Sequence, residues 1–191
     1  MIKRRSWKSL ASLLRPSRSE HHAASAAKRK AMLALGGRRA RDPRIRIGLQ
    51  RDLATAHAAL AQLADPAATD DSDGRPLRQA HYDTAQVILL LTDADELRHQ
   101  GRAHRDDLRH PLLSRGAEQI LRELAQADDA ELRAHLLVEL AVQVLPHAGT
   151  MAAGNLRAIA YHQLRAAGCS KKAAGTKVGT AVNAVATHLR G

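Results

Sequence analysis

Lys171, Lys172 and Lys177, followed by Asn183, Thr187 and Arg190, are the residues of this chain best suited to chemistry with a partner. Ammonium and guanidinium groups pair with phosphate oxygens, and an asparagine amide presents the donor and acceptor pair that matches adenine. Their spacing matters as well. At about 100° per residue, Asn183, Thr187 and Arg190 share one side of a helix while Val182, Val185 and Leu189 share the other. Residues 156–191 hold 6 Lys and Arg and no Asp or Glu, so nothing within that stretch offsets the charge.

Other reactive side chains fall into patterns that carry no chemistry. The eleven His include no H-E-x-x-H pair, and His99, His104 and His110 stand five and six apart, off a single helix face. Cys169 is the one cysteine, which excludes an intrachain disulfide, and no paired His and Asn pattern makes it a nucleophile. The pairs Asp70-Asp71, Asp106-Asp107 and Asp128-Asp129 sit in turns or where helices begin. The segment DPAATDDSDGRP faintly resembles a calcium loop, but Thr69 and Ala80 stand where two of its strongest ligands belong. No catalytic residue, cofactor or metal is expected.

The elements that carry these residues follow from charge and periodicity. Residues 1–51 hold 15 Lys and Arg against 2 Asp and Glu, and residues 52–155 hold 9 against 17, so two basic ends flank an acidic middle. Such segregation points to polyanions as partners. Phe is absent and the large aromatics are Trp7, Tyr82 and Tyr161, too few for modules that stack single-stranded bases. The longest dense apolar run, Val87 to Leu91, is far short of a membrane span. The basic start MIKRRSWKSLASLLRPSRS lacks a signal-peptide core and cleavage site. Its Trp7, Leu10, Leu13 and Leu14 could touch an anionic membrane surface. A cytoplasmic setting is expected.

The fold expected is all-α: a helical bundle in three parts. Residues 1–43 read as a disordered basic arm, with at most a transient helix around 23–35. Residues 44–148 read as an acidic helical body, beginning with a helix striped by Leu49, Leu53, Ala56, Leu60 and Leu63 and ended by Asp65-Pro66. A long central helix enters through Pro76. Pro111 opens the next, and Asp128 with Glu131 starts one that runs to Pro146. Residues 149–191 read as a helix ending at Gly168, a short helix capped by Ser170, a turn at Gly179 with positive φ, and a last helix from Thr180 to Arg190.

Gly168, Ser170, Gly175, Val178, Gly179, Val185 and Leu189 stand at a spacing that resembles the homeodomain-like helix-turn-helix of LuxR-type regulators and resolvase C-terminal domains, with His188 as in the LuxR version. The resemblance covers about residues 156–191, and it departs at Ala174 and at Thr180-Ala181. It implies double-stranded DNA as partner: Lys171, Lys172 and Lys177 on phosphates, with Asn183, Thr187 and Arg190 toward the major groove. The function expected is that of a transcriptional regulator or accessory DNA-organising factor, with the body as a possible homodimer surface. Binding of RNA or the ribosome without base reading, and an adaptor with a membrane-touching N-terminus, are the alternatives.

Overall fold

The computed structural model describes residues 18–100 and 110–188, and within them the chain is all-helical. The elements are α1 (Arg18–Leu35), a 3-10 turn (Arg38–Arg41), α2 (Pro43–Leu63), α3 (Leu77–His99), α4 (Arg115–Gln126), α5 (Ala130–Ala166) and α6 (Lys171–His188). α3 packs on α2, α4 and α5, while α1 lies on α2 and α6 on α5. Leu53, Ile88, Leu91, Leu121, Leu137 and Ile159 are fully buried in one cluster that extends to Ala174 and Ala181 of α6. Burying each such Leu or Ile contributes roughly 1.5–3 kcal/mol, so this shared core, more than helix propensity, holds the bundle.

Residues 18–43, expected in a disordered arm, are folded in the structure. Ala24, Ala31 and Leu35 of α1 are buried, and α1 packs along α2. The arm shows no stripe of large apolar residues because its inner side is mostly alanine, whose methyl groups allow close helix approach while favouring helix. Asp42 then caps α2 by accepting the Arg44 amide at 2.9 Å, with Pro43 in the first turn. Residues 1–17, including Trp7, Leu10, Leu13 and Leu14, lie outside the described residues, as do 101–109.

Two helix starts differ from expectation. α4 begins at Arg115 rather than Pro111, because His110 closes a turn, accepting the Leu113 amide on its carbonyl at 2.8 Å. Ser114 is the cap there, its Oγ accepting the Ala117 amide at 3.1 Å. At α5 the cap is Asp129, not Asp128: one carboxylate oxygen accepts the Glu131 and Leu132 amides at 2.9 and 2.8 Å.

α5 is two helices joined at a kink. Gly149 has φ 81° and ψ 179°, a region open essentially to glycine alone, three residues after Pro146. The loop between α2 and α3 splints the break. Arg75 donates to the His147 and Pro146 carbonyls at 2.8 and 3.2 Å, ending the first half. Asp73 accepts the Thr150 amide and hydroxyl at 2.9 and 3.1 Å, starting the second, and that amide holds its carboxyl below the ordinary value. The acidic segment that faintly resembles a calcium loop is thus a helix-capping device. A Cβ at Gly149 would lie 2.6 Å from Asp73 Oδ2. Gly149→Ala should therefore cost about 3 kcal/mol and lower the thermal midpoint by roughly 6–12 °C in a melt followed by circular dichroism. By length and mean hydropathy α5 is the one described helix apolar enough to cross a membrane, and 56% of that window is buried in the bundle.

Two buried polar clusters tie the helices together. Asp95 of α3 accepts from Arg133 Nη2 at 2.5 Å on one oxygen, and from Arg46 Nε and Gln50 Nε2 at 3.2 and 3.1 Å on the other. It thereby joins α2, α3 and α5. The second cluster joins α2, α3 and the far half of α5: His57 and His81 face each other with Nδ1 atoms 3.0 Å apart, and His57 Nε2 lies 3.2 Å from Asn155 Oδ1. Because Asn155 Nδ2 donates to the Met151 carbonyl at 2.9 Å, its Oδ1 is the acceptor, and His57 donates from Nε2 while accepting from His81 at Nδ1.

That network requires neutral rings. Desolvation, then His81 and Lys28, pushes His57 down to about 3, and desolvation, then Lys28 and His21, pushes His81 down to about 4 against the pull of Asp70. In the unfolded chain both protonate near the ordinary 6.5. The unfolded chain therefore binds more protons below that value, and stability that is complete above about pH 6.5 is lost as pH falls toward 4. Thermal midpoints should be level from pH 7 to 8 and drop steadily between 6.5 and 4. Midpoints that hold level to pH 4 would contradict a neutral buried pair.

Candidate nucleic-acid interface

The α5–α6 junction is a tight reversal. Gly168 takes φ 103°, the Cys169 amide reaches back to the Leu164 carbonyl at 3.0 Å, and Ser170 Oγ accepts the Ala173 amide at 3.1 Å. α6 then runs unbroken from Lys171 to His188. The structure does not show the helix-turn-helix expected here. Gly179 lies inside the helix without positive φ, so no turn separates Val178 from Thr180. Physically, nothing forces a turn: no Pro, Asn or Asp flanks Gly179. Continuous helix keeps Ala174, Ala181 and Val185 buried on one side, with Val178 and Val182 packed partly against the core.

The opposite side of α6 is exposed along Lys172, Thr176, Gly179, Asn183 and Thr187. Thr187 Oγ1 donates to the Asn183 carbonyl at 2.9 Å, which leaves the Asn183 amide free of that bond. Lys171 is also exposed, beside Lys172 in the first turn. Lys177 is placed differently: its ammonium pairs with Glu131 of α5, a contact that raises its pKa. It serves α5–α6 packing rather than standing free beside the other two lysines. Arg190 lies outside the described residues. Gly175 and Gly179 are both exposed, and a Cβ at either would meet nothing within 4 Å.

The fold also brings together what the sequence keeps far apart. Arg41, in the 3-10 turn, donates from Nε to the Ala166 carbonyl at the end of α5. Its Nη2 would lie 3.2 Å from a Cβ on Gly168. The turn that carries Arg38, Arg39 and Arg41, all exposed, is therefore docked on the reversal that leads into Lys171 and Lys172. The basic turn and the start of α6 thus share the α5–α6 reversal. The sequence does not single out Arg38 and Arg39, because the stretch around them has no sustained period of large apolar residues, although Gly36-Gly37 before them and Asp42-Pro43 after them mark a turn between two helices.

Elsewhere, Cys169 is a half-buried free thiol, and its carbonyl accepts from Arg165 Nη1. Among the described residues no three His, Cys, Asp or Glu converge as metal ligands. No protein-family model, curated protein or solved structure matches this chain.

Proposed function

We propose that this protein binds double-stranded DNA as an accessory, DNA-organising factor, through a basic surface formed by Arg38, Arg39, Lys171 and Lys172. The observation that carries the reading is the docking of the basic turn, through Arg41, on the α5–α6 reversal that leads into Lys171 and Lys172. A duplex offers a dense, regular array of phosphates to such a patch, and the few aromatic rings leave little for gripping unstacked bases. Without a turn at Gly179, α6 is not presented as a separate recognition helix, which favours phosphate contacts over base reading. Gly175 and Gly179 lend support. Glycine inside a helix costs about 1 kcal/mol against alanine, and neither packing nor backbone conformation requires it here, so a close approach by a ligand to this side of α6 is a reason for both.

Electrophoretic mobility and fluorescence anisotropy with a duplex, its separated strands and an RNA hairpin test the reading. The duplex should bind tightest. Selection from a random duplex pool should return little sequence preference, and Asn183→Ala should change binding less than threefold. A strong consensus lost in Asn183→Ala would restore base reading, whereas preference for the hairpin would favour an RNA-associated role.

A further inference from the structure

We propose that the outward side of α3 is a self-complementary contact surface, on which a second copy of this chain packs antiparallel about a twofold axis between Ala85 and Gln86. The proposal stands apart from the basic surface of Arg38, Arg39, Lys171 and Lys172, and does not depend on it.

α3 packs on α2, α4 and α5, and one stripe of it is left outward. Arg78, Tyr82, Leu89 and Asp93 are exposed there, Tyr82 at 51% and Leu89 at 38%, with the half-buried Gln86 among them. At about 100° per residue these five side chains fall within an arc of about 80°. Their order is the telling feature. Arg78 and Asp93 stand equally far from the midpoint between residues 85 and 86, and so do Tyr82 and Leu89. An antiparallel copy centred there sets Arg78 against Asp93 and Tyr82 against Leu89, each pairing made twice, as a twofold contact requires. A parallel copy would instead set Arg78 on Arg78 and Asp93 on Asp93. Charge therefore selects the antiparallel arrangement.

The side chains have the capacity for these contacts. Among the described residues Asp93 makes no hydrogen bond or close ion pair. Partial desolvation and Glu96 push its carboxyl up against the pull of Arg51, a condition that a guanidinium from a second copy would relieve. Arg78 Nη2 reaches the Ala64 carbonyl only at 3.5 Å, which leaves its other donors available. Beside Tyr82, Ala58 and Ala61 of α2 line a shallow groove between α2 and α3. The twofold axis keeps α2 of both copies on the same side, so Leu89 of the partner subunit, opposite Tyr82, meets this groove. Gln86 lies next to the axis, where its amide and the same amide of the partner pair reciprocally.

The test is sedimentation equilibrium of the full chain over a range of concentrations, without nucleic acid. Reversible dimerisation in the micromolar range is expected, as suits a contact of one helix face and a groove. Arg78→Asp and Asp93→Arg each put like charges at both pairings and should weaken association about tenfold or more. Mixed in equal amounts, the two variants should associate about as tightly as the parent, because one carries only acids at these two positions and the other only arginines. Circular dichroism checks that each is folded, and Asp93→Arg, which breaks no hydrogen bond, keeps the test valid if Arg78→Asp does not fold. A parent that stays monomeric at about 0.2 mM would leave this face to solvent or to a different protein and overturn the proposal. Unchanged association in Asp93→Arg, or folded variants that fail to associate when mixed, would overturn it too.

Discussion

Replacing Asp95 with alanine is expected to cost about 3–5 kcal/mol of folding stability and to lower the thermal midpoint by on the order of 10 °C. Asp95 is buried and accepts from Arg46, Gln50 and Arg133, so its removal strands two guanidinium groups in the interior. Arg133 is 3% exposed and also holds the end of α4 through the Leu124 carbonyl at 2.6 Å, so it cannot swing out to water without releasing that helix. Asp95→Asn should fare little better, because its amide NH2 would face a donor. Guanidinium denaturation of both variants measures the loss. A loss under 1 kcal/mol in Asp95→Ala would mean that the arginines find other partners.

Changing Arg38, Arg39, Lys171 and Lys172 together to alanine is expected to reduce duplex affinity on the order of 100-fold near 0.1 M salt, and to lower the slope of log K against log salt by about 3 to 4. Each pair alone should lower it by about 2. All four side chains are exposed, so the melting temperature should move little. Lys177→Ala should act otherwise, leaving the slope nearly unchanged because its charge is already met by Glu131. Equal slope losses for Lys177 and Lys172 would contradict that assignment.

Much of the bundle is legible in the sequence because large apolar residues repeat at helical spacing. The α2 stripe, the Pro76 entry to α3 and the stop at Gly168 all stand where periodicity and local backbone chemistry put them. The places that are not legible share a cause: their structure is set by partners distant in sequence. α1 is hidden because alanine contributes little to an apolar stripe, yet it folds on α2 through that alanine side and Leu35. The turn expected at Gly179 fails because burial of Ala174, Ala181 and Val185 along α5 continues the helix. The roles of Asp73 and Arg75 depend on a kink 71 to 77 residues away.

The candidate interface divides in the same way. Lys171, Lys172, Asn183 and Thr187 are exposed on α6, as helical spacing from the sequence requires. The pairing of Lys177 with Glu131 and the meeting of Arg41 with Ala166 across 125 residues are properties of the packed bundle. Short-range pattern carries no trace of either.

The most direct measurement of the central claim is the change in backbone amide NMR shifts when a short duplex is titrated into the full chain. The account predicts that amides at Arg38–Arg41 and at Ser170–Lys172 shift together, at the same duplex concentrations, while those of the acidic loop near Asp71 do not. Shifts confined to one of the two segments, or midpoints that differ between them, would contradict a single interface built from both segments.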